Sequence, residues 1–111
     1  MIGSGAVGCE YLKIFSLMGA GTGPNSNIVV TDNDNIEISN LNRQFLFRRK
    51  DIGKSKSKIA CDKIKIKFKE INLEPLQLEV CEQNESYFTN NFWKNQNFIL
   101  MAVDNLVLNE V

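Results

Sequence analysis

Histidine is absent from the 111 residues. Imidazole acid–base catalysis and histidine metal sites are therefore excluded within this chain. Cysteine is sparse: Cys9, Cys61 and Cys81 are odd in number, far apart, and form neither a C-x-x-C pair nor a metal spacing. They read as three reduced, partly buried thiols, which suits the cytoplasm or nucleus. No apolar run reaches membrane-spanning length, so no membrane association is expected. The start is glycine-rich rather than basic and then apolar, so no signal peptide is expected. A Walker G-K-[ST] motif is missing, which argues against γ-phosphate transfer. Internal repeats and an internal domain boundary are also missing, and the length allows one domain at most.

Net charge is zero, but its distribution is uneven. Eleven of the thirteen Lys and Arg lie between positions 43 and 69, among only two acids, Asp51 and Asp62. From Glu70 onward there are seven acids and one base, Lys94. That asymmetry hints at an anionic ligand. Much of it is a solvated helix face at Lys63, Lys65, Lys67 and Lys69, whereas Lys56, near a helix start, is placed to reach a phosphate.

Gly3, Gly5 and Gly8 spell G-x-G-x-x-G, a loop that lets backbone amides approach phosphate at a helix N-terminus. The spacing predicts a helix over about 6–18, with Val7, Tyr11, Leu12, Phe15 and Leu17 or Met18 along one face. The motif requires a strand before it, of which only Met1 and Ile2 are present. A turn at 23–27 leads to an apolar strand at 28–31 that ends at Asp32, where nucleotide-binding α/β folds hold ribose hydroxyls. Asp34 belongs to the same Asx-rich cluster, which is equally readable as a turn.

Residues 39–47 follow neither a strand nor a helix period. They read as a loop docked by Leu41, Phe45, Leu46 and Phe47, so that Asn40, Arg43 and Gln44 face an anion. A second helix is expected over about 57–71. Lys63 to Lys69 alternates like a strand, but the length without Gly or Pro decides for helix. Pro75 punctuates, and alternation predicts a third strand at 76–80. Tyr87, Phe88, Phe92 and Trp93 lie at helical spacing within 82–97 and read as packing. A buried strand at 98–103 ends at Asp104. The expected fold is Rossmann-like α/β: an open, mainly parallel sheet with flanking helices, incomplete at its N-terminus. Such a sheet binds its ligand at the carboxyl ends of its strands.

Several motifs together resemble the ubiquitin-activating enzyme family. They are Gly-Ser-Gly-Ala-Val-Gly-Cys-Glu at 3–10, Thr-Asp-Asn-Asp at 31–34, Ser-Asn-Leu-Asn-Arg-Gln-Phe-Leu-Phe-Arg at 39–48, Asp-Ile-Gly-Lys-Ser-Lys at 51–56, and Val-Asp-Asn at 103–105. The string at 39–48 is the specific one; the glycine loop alone is not. The match is to the catalytically competent adenylation half. The resemblance implies a partial ATP-binding adenylation domain over 1–111, truncated at both ends. It implies that Gly3, Gly5 and Gly8 lie beneath the nucleotide and that Asp32 holds the ribose hydroxyls. Asn40, Arg43, Gln44 and Lys56 would bind the phosphates of ATP, with Arg43 and Lys56 stabilising the reaction. Asp104 would ligate Mg²⁺, with Asp34 as a further ligand. Implied partners are ubiquitin, the remaining domains of the same enzyme and a ubiquitin-conjugating enzyme.

The chain departs from the family where an Ala-Arg pair should follow Asp104-Asn105; it has Leu106-Val107-Leu108-Asn109 instead. None of its cysteines matches the family's catalytic cysteine, which belongs to a later domain. An adenylating subunit for another ubiquitin-like modifier is an alternative. So is a dinucleotide-dependent oxidoreductase, which leaves Arg43, Gln44 and Lys56 unexplained. A nucleic-acid module would use the basic segment, but solvated lysines account for most of that charge. With so little of its first strand, the isolated chain is expected to be marginally stable or to borrow a partner.

Overall fold

The computed structural model of the chain describes residues 1–103. Helix α1 (Ala6–Leu17) opens at the glycine loop. Strand β1 (Ile28–Thr31) follows, then helix α2 (Lys56–Lys67), strand β2 (Leu73–Leu76) and the short helix α3 (Asn90–Lys94). β1 and β2 pair in parallel with Val30 opposite Pro75. On its other side β1 meets Ile2 in a parallel bridge, and Ile2 bridges Met101, also in parallel. The rows therefore stand in the order third, second, first, fourth, which is half of a doubly wound sheet.

The first row is central, with Thr31 on one side of Ile2 and Met101 on the other. Its Ile2 amide donates to Leu100 O at 2.7 Å, and its Gly3 amide donates to Thr31 O at 2.8 Å.

Several expectations need correction. The third strand begins at Leu73 rather than 76, and Pro75 lies inside it. Asn72 O and Leu76 O accept from the Ile28 and Asp32 amides, so alternate residues face β1 and Pro75 faces away. Its missing N–H thus costs no ladder bond. The fourth row is not a buried strand: only Met101 bridges, and Phe98 is 85% exposed. Ile99 and Met101 are exposed as well. The region 82–97, where aromatics stand at helical spacing, forms a 3₁₀ turn at Glu82–Asn84 and the five-residue α3. Its aromatics pack on one another, with Phe88 stacked on Trp93 at 5.6 Å and Phe92 edge-on to Trp93 at 5.1 Å.

α1 also turns a different face inward. Gly8, Cys9, Leu12 and Ser16 are buried, whereas Val7, Tyr11, Leu17 and Met18 are exposed. The glycine and the small side chains let the helix lie close against the loop before it. Of the expected bulky stripe Leu12 is buried, and most of the rest is left outside. Gly19, at φ 82°, lets the Ala20 amide reach Phe15 O at 2.9 Å and closes the helix.

α2 begins one residue earlier than expected and ends four earlier. Its helical period is clear in burial: Ile64 is 3% exposed and Ile66 is 71% exposed. Ser55 caps its start by accepting from the Lys58 amide. The core collects Cys9 and Leu12 from α1, Val30 from β1, Ala60, Cys61 and Ile64 from α2, and Ile36, Phe47 and Ile71 from the connections. Burial pushes the Cys9 and Cys61 thiols up to about 12, so neither supplies a thiolate near neutral pH. Among the described residues no helix is long and apolar enough to cross a membrane.

One buried ion pair ties the loop before α2 to the helix. Asp51 accepts from the Arg48 amide at 2.9 Å and pairs with Lys63. Burial pulls its carboxyl upward, but the Lys63 ammonium and the Arg48 amide outweigh that, and it titrates below its ordinary 3.8. A lowered folded-state value means stabilisation that is complete above about pH 4 and fades as pH falls through that value. Lys63 is 22% exposed, so the pair is weaker than a fully buried one. Asp51→Ala is expected to lose about 2 kcal/mol at pH 7 in urea denaturation, with a smaller loss in acid well below the ordinary 3.8. A loss of the same size at both pH values would exclude the ion pair as the cause.

Candidate functional site

The glycine loop is shaped by two close approaches. A Cβ on Gly3, at φ 98°, would sit 2.5 Å from Ala102 O, and one on Gly8 would sit 2.3 Å from Gly3 O. Gly5 differs: the nearest atom to its Cβ position is Gln44 Nε2 at 3.6 Å. Gly5 also occupies the N-cap of α1 and offers no side chain to its amides. The first helix bond is Cys9 N–H to Gly5 O at 2.9 Å, which leaves the amides of residues 6–8 without helix acceptors. A bare helix N-terminus of this kind attracts anions.

Opposite lies the polar loop. Phe47 anchors it in the core, and Leu41 and Leu46 pack against that core. Phe45 does not dock as expected; it is partly exposed, with the Lys13 ammonium 5.3 Å from its ring. Asn40 is buried at the end of a 3₁₀ turn, where its Oδ1 accepts from the Glu37 amide at 2.8 Å. Asn40 O then accepts from the Gln44 amide at 2.9 Å. Gln44 is 3% exposed, and its Oε1 has no hydrogen-bond partner among the described residues. Arg43 stands exposed at the rim. Lys56 enters from the start of α2, nearly buried, its ammonium 3.8 Å from Asp34.

These parts enclose a cleft of about 580 Å³, lined by Ala6, Asp34, Asn40, Arg43, Gln44 and Lys56 among others. A second hollow of about 290 Å³ adjoins it, lined by Gly3, Gly5, Asp32, Leu78 and Val80, with Asp34 on the border of both. Both lie at the carboxyl ends of the rows, and their size suits a small-molecule ligand. Every expected site residue up to position 56 lines one hollow or the other, except Gly8, which packs beneath them. Asp104 lies outside the described residues.

Asp32 has internal work as well. Its Oδ2 accepts from the Ser4 amide at 2.8 Å and the Ser4 hydroxyl at 3.1 Å, and its Oδ1 accepts from the Asp34 amide at 2.9 Å. The sequence reading missed Ser4, Glu37 and the segment 78–80. That segment, expected as strand, is instead held by Thr31 Oγ1 donating to Leu78 O at 2.5 Å, and Ser57 Oγ donates to Leu76 O at 2.6 Å just before it. A hydroxyl residue at each of two element ends was the only available signal.

A glycine loop under a helix N-terminus, an acid at the second strand tip and cations facing the cleft define a nucleotide-binding α/β fold. The chain belongs to the ThiF family, whose sequence profile matches residues 1–110. It is 44% identical over 108 residues to ubiquitin-activating enzyme E1 1 of Candida albicans (strain WO-1), covering 96% of this chain and 11% of that protein. It is 43% identical over 106 residues to ubiquitin-activating enzyme E1 2 of Triticum aestivum, covering 96% and 10%. The chain thus spans about a tenth of the length of the curated relatives it matches. The E. coli protein MccB, crystallised with ATP, superposes with a TM-score of 0.67 and 29% identity over 79% of this chain and 25% of that one. E. coli TcdA in complex with AMP also reaches 0.67, over 78% of this chain and 33% of that one; at 23% identity this likeness is one of fold. The resemblance to ubiquitin-activating enzymes and the Rossmann-like fold expected from sequence are both borne out.

The two glycine environments predict opposite outcomes. Gly8→Ala is expected to destabilise the protein by about 2–3 kcal/mol, since backbone must shift to admit the methyl. Gly5→Ala should stay within about 0.5 kcal/mol. Thermal unfolding of both variants checks this, and equal losses would contradict the packing described.

Proposed function

We propose that this chain is part of a ubiquitin-activating enzyme and binds ATP so that the C-terminal carboxylate of ubiquitin is adenylated. The observation that supports this best is the shared cleft. Arg43, Gln44, Asn40 and Lys56 converge there on the open N-terminus of α1. In this reading the adenosine occupies the smaller hollow beside Asp32 and the phosphates occupy the larger one. Arg43 offers a planar fork to phosphate oxygens, and Lys56 a point charge. Asn40 has its amide nitrogen to donate, because its oxygen already serves the Glu37 amide.

The chemistry is an in-line displacement at the α-phosphorus. A ubiquitin carboxylate oxygen bonds to that phosphorus as its bond to the bridging oxygen breaks and pyrophosphate leaves. No proton transfer is required, which agrees with a chain that lacks histidine. What the protein supplies is alignment and cationic stabilisation of the phosphates.

Mg²⁺ would neutralise phosphate charge when bound. The residues fit it: Asp34 reaches into the cleft beside Lys56, and Glu37 lines the same wall. Mg²⁺ commonly uses one or two carboxylates, substrate phosphates and water. Asp104 completes this proposal from outside the described residues. The acceptor thiol for the following thioester, the second half of the adenylation site and the surface that recruits a ubiquitin-conjugating enzyme are assigned to other parts of the protein. Three free thiols, two of them buried, suit a cytoplasmic or nuclear setting.

ATP–pyrophosphate exchange by the full-length protein with ubiquitin tests the assignment. Arg43→Ala is expected to lower exchange by about a hundredfold. Unaltered exchange would remove Arg43 from the site. Exchange driven by another ubiquitin-like protein but not by ubiquitin would move the substrate assignment.

A further inference from the structure

We infer that Ser4 is a positioning residue that holds the Asp32 carboxylate with one acceptor site left open, and that this open site takes a single ribose hydroxyl. The inference rests on the nucleotide reading above and deepens it.

Ser4 is 0% exposed and touches no solvent in the cleft. It is buried because it sits between the sheet and α1, where its carbonyl accepts from Cys9 Sγ at 3.4 Å. From there both of its donors converge on one oxygen: the amide and the hydroxyl reach Asp32 Oδ2 at 2.8 and 3.1 Å. The other oxygen takes the Asp34 amide at 2.9 Å. An ionised carboxylate has about four acceptor positions. Among the described residues three are filled, two on Oδ2 and one on Oδ1, which leaves one on Oδ1.

Asp32 lines the smaller hollow with Gly3, Gly5, Leu78 and Val80. A carboxylate free to rotate could grip two neighbouring hydroxyls with two oxygens. This one is locked by Ser4 on one side and by the Asp34 amide on the other. It can distinguish one hydroxyl position from the other. Ser4 never meets the ligand; it acts only through Asp32. Its hydroxyl is a separate device from the glycines around it, which serve close backbone approach.

The test uses the full-length protein and three probes: ATP, 2′-deoxy-ATP and 3′-deoxy-ATP, with binding measured by titration calorimetry. The unaltered protein is expected to bind one of the deoxynucleotides about tenfold more weakly than ATP and the other about as well as ATP. Ser4→Ala should weaken ATP severalfold and leave the weakened deoxynucleotide unchanged, so that discrimination shrinks. In an Asp32→Asn background, Ser4→Ala should have no further effect on binding. Equal weakening of all three nucleotides by Ser4→Ala would overturn the inference in favour of a merely structural role. So would equal losses for both deoxynucleotides in the unaltered protein, or additive effects of the two substitutions. Failure of the unaltered protein to bind any of the three would overturn the nucleotide reading itself, and the inference with it.

Discussion

The site depends on the short row at residues 1–3. Thr31 N donates to Met1 O at 3.0 Å and Gly3 N to Thr31 O at 2.8 Å, while Ile2 N and Ile2 O bond to Leu100 and Ala102. Both edges of the row are thus engaged, one with β1 and the other with the fourth row. Each such bond contributes only about 1 kcal/mol net. Their joint effect is to fix where the glycine loop leaves the sheet. Gly3 departs at positive φ beneath Ala102, Ser4 turns inward to Asp32, and α1 begins with its amides facing the cleft. A shift of the row by one residue would exchange its inward and outward faces and lose all three.

The opposite wall is fixed by different forces. Apolar anchoring at Ile36 and Phe47 holds the two ends of the polar loop. Between them the chain satisfies its own backbone: Asn40 and Glu37 bond reciprocally within one turn, and Asp51 does the same for Arg48. The Asp51–Lys63 pair then fastens this loop to α2, which carries Lys56 at its first turn. The cleft's cations are therefore held at different depths. Lys56 is nearly buried and already faces Asp34, whereas Arg43 is exposed on the rim.

Much of this was legible from sequence because the signals were local. The glycine spacing, the apolar run that ends at Asp32 and the unbroken stretch after Ser55 each identify one element without help from the rest. The errors came where distant contacts decide. Alternation at 76–80 suggested a strand, yet pairing with β1 selects 73–76, because Pro75 can turn its missing donor away. Of the apolar stripe expected to bury α1, Leu12 does so, but Val7, Tyr11, Leu17 and Met18 face outward, because Gly8 allows a closer approach on another side. Phe45 read as an anchor but is held by Lys13 at the surface. Asp32 was recognisable by its position at a strand tip; that Ser4 occupies two of its acceptor sites is a tertiary fact with no sequence period behind it.

Hydrogen exchange of the full-length protein, with and without ATP and Mg²⁺, addresses the central assignment most directly. If the cleft is the nucleotide site, exchange slows at residues 4–8, at 40–44 and around Lys56, while the aromatic segment 87–93 keeps its rate. Slowing confined to 87–93, with no change at the glycine loop or the polar loop, would contradict it.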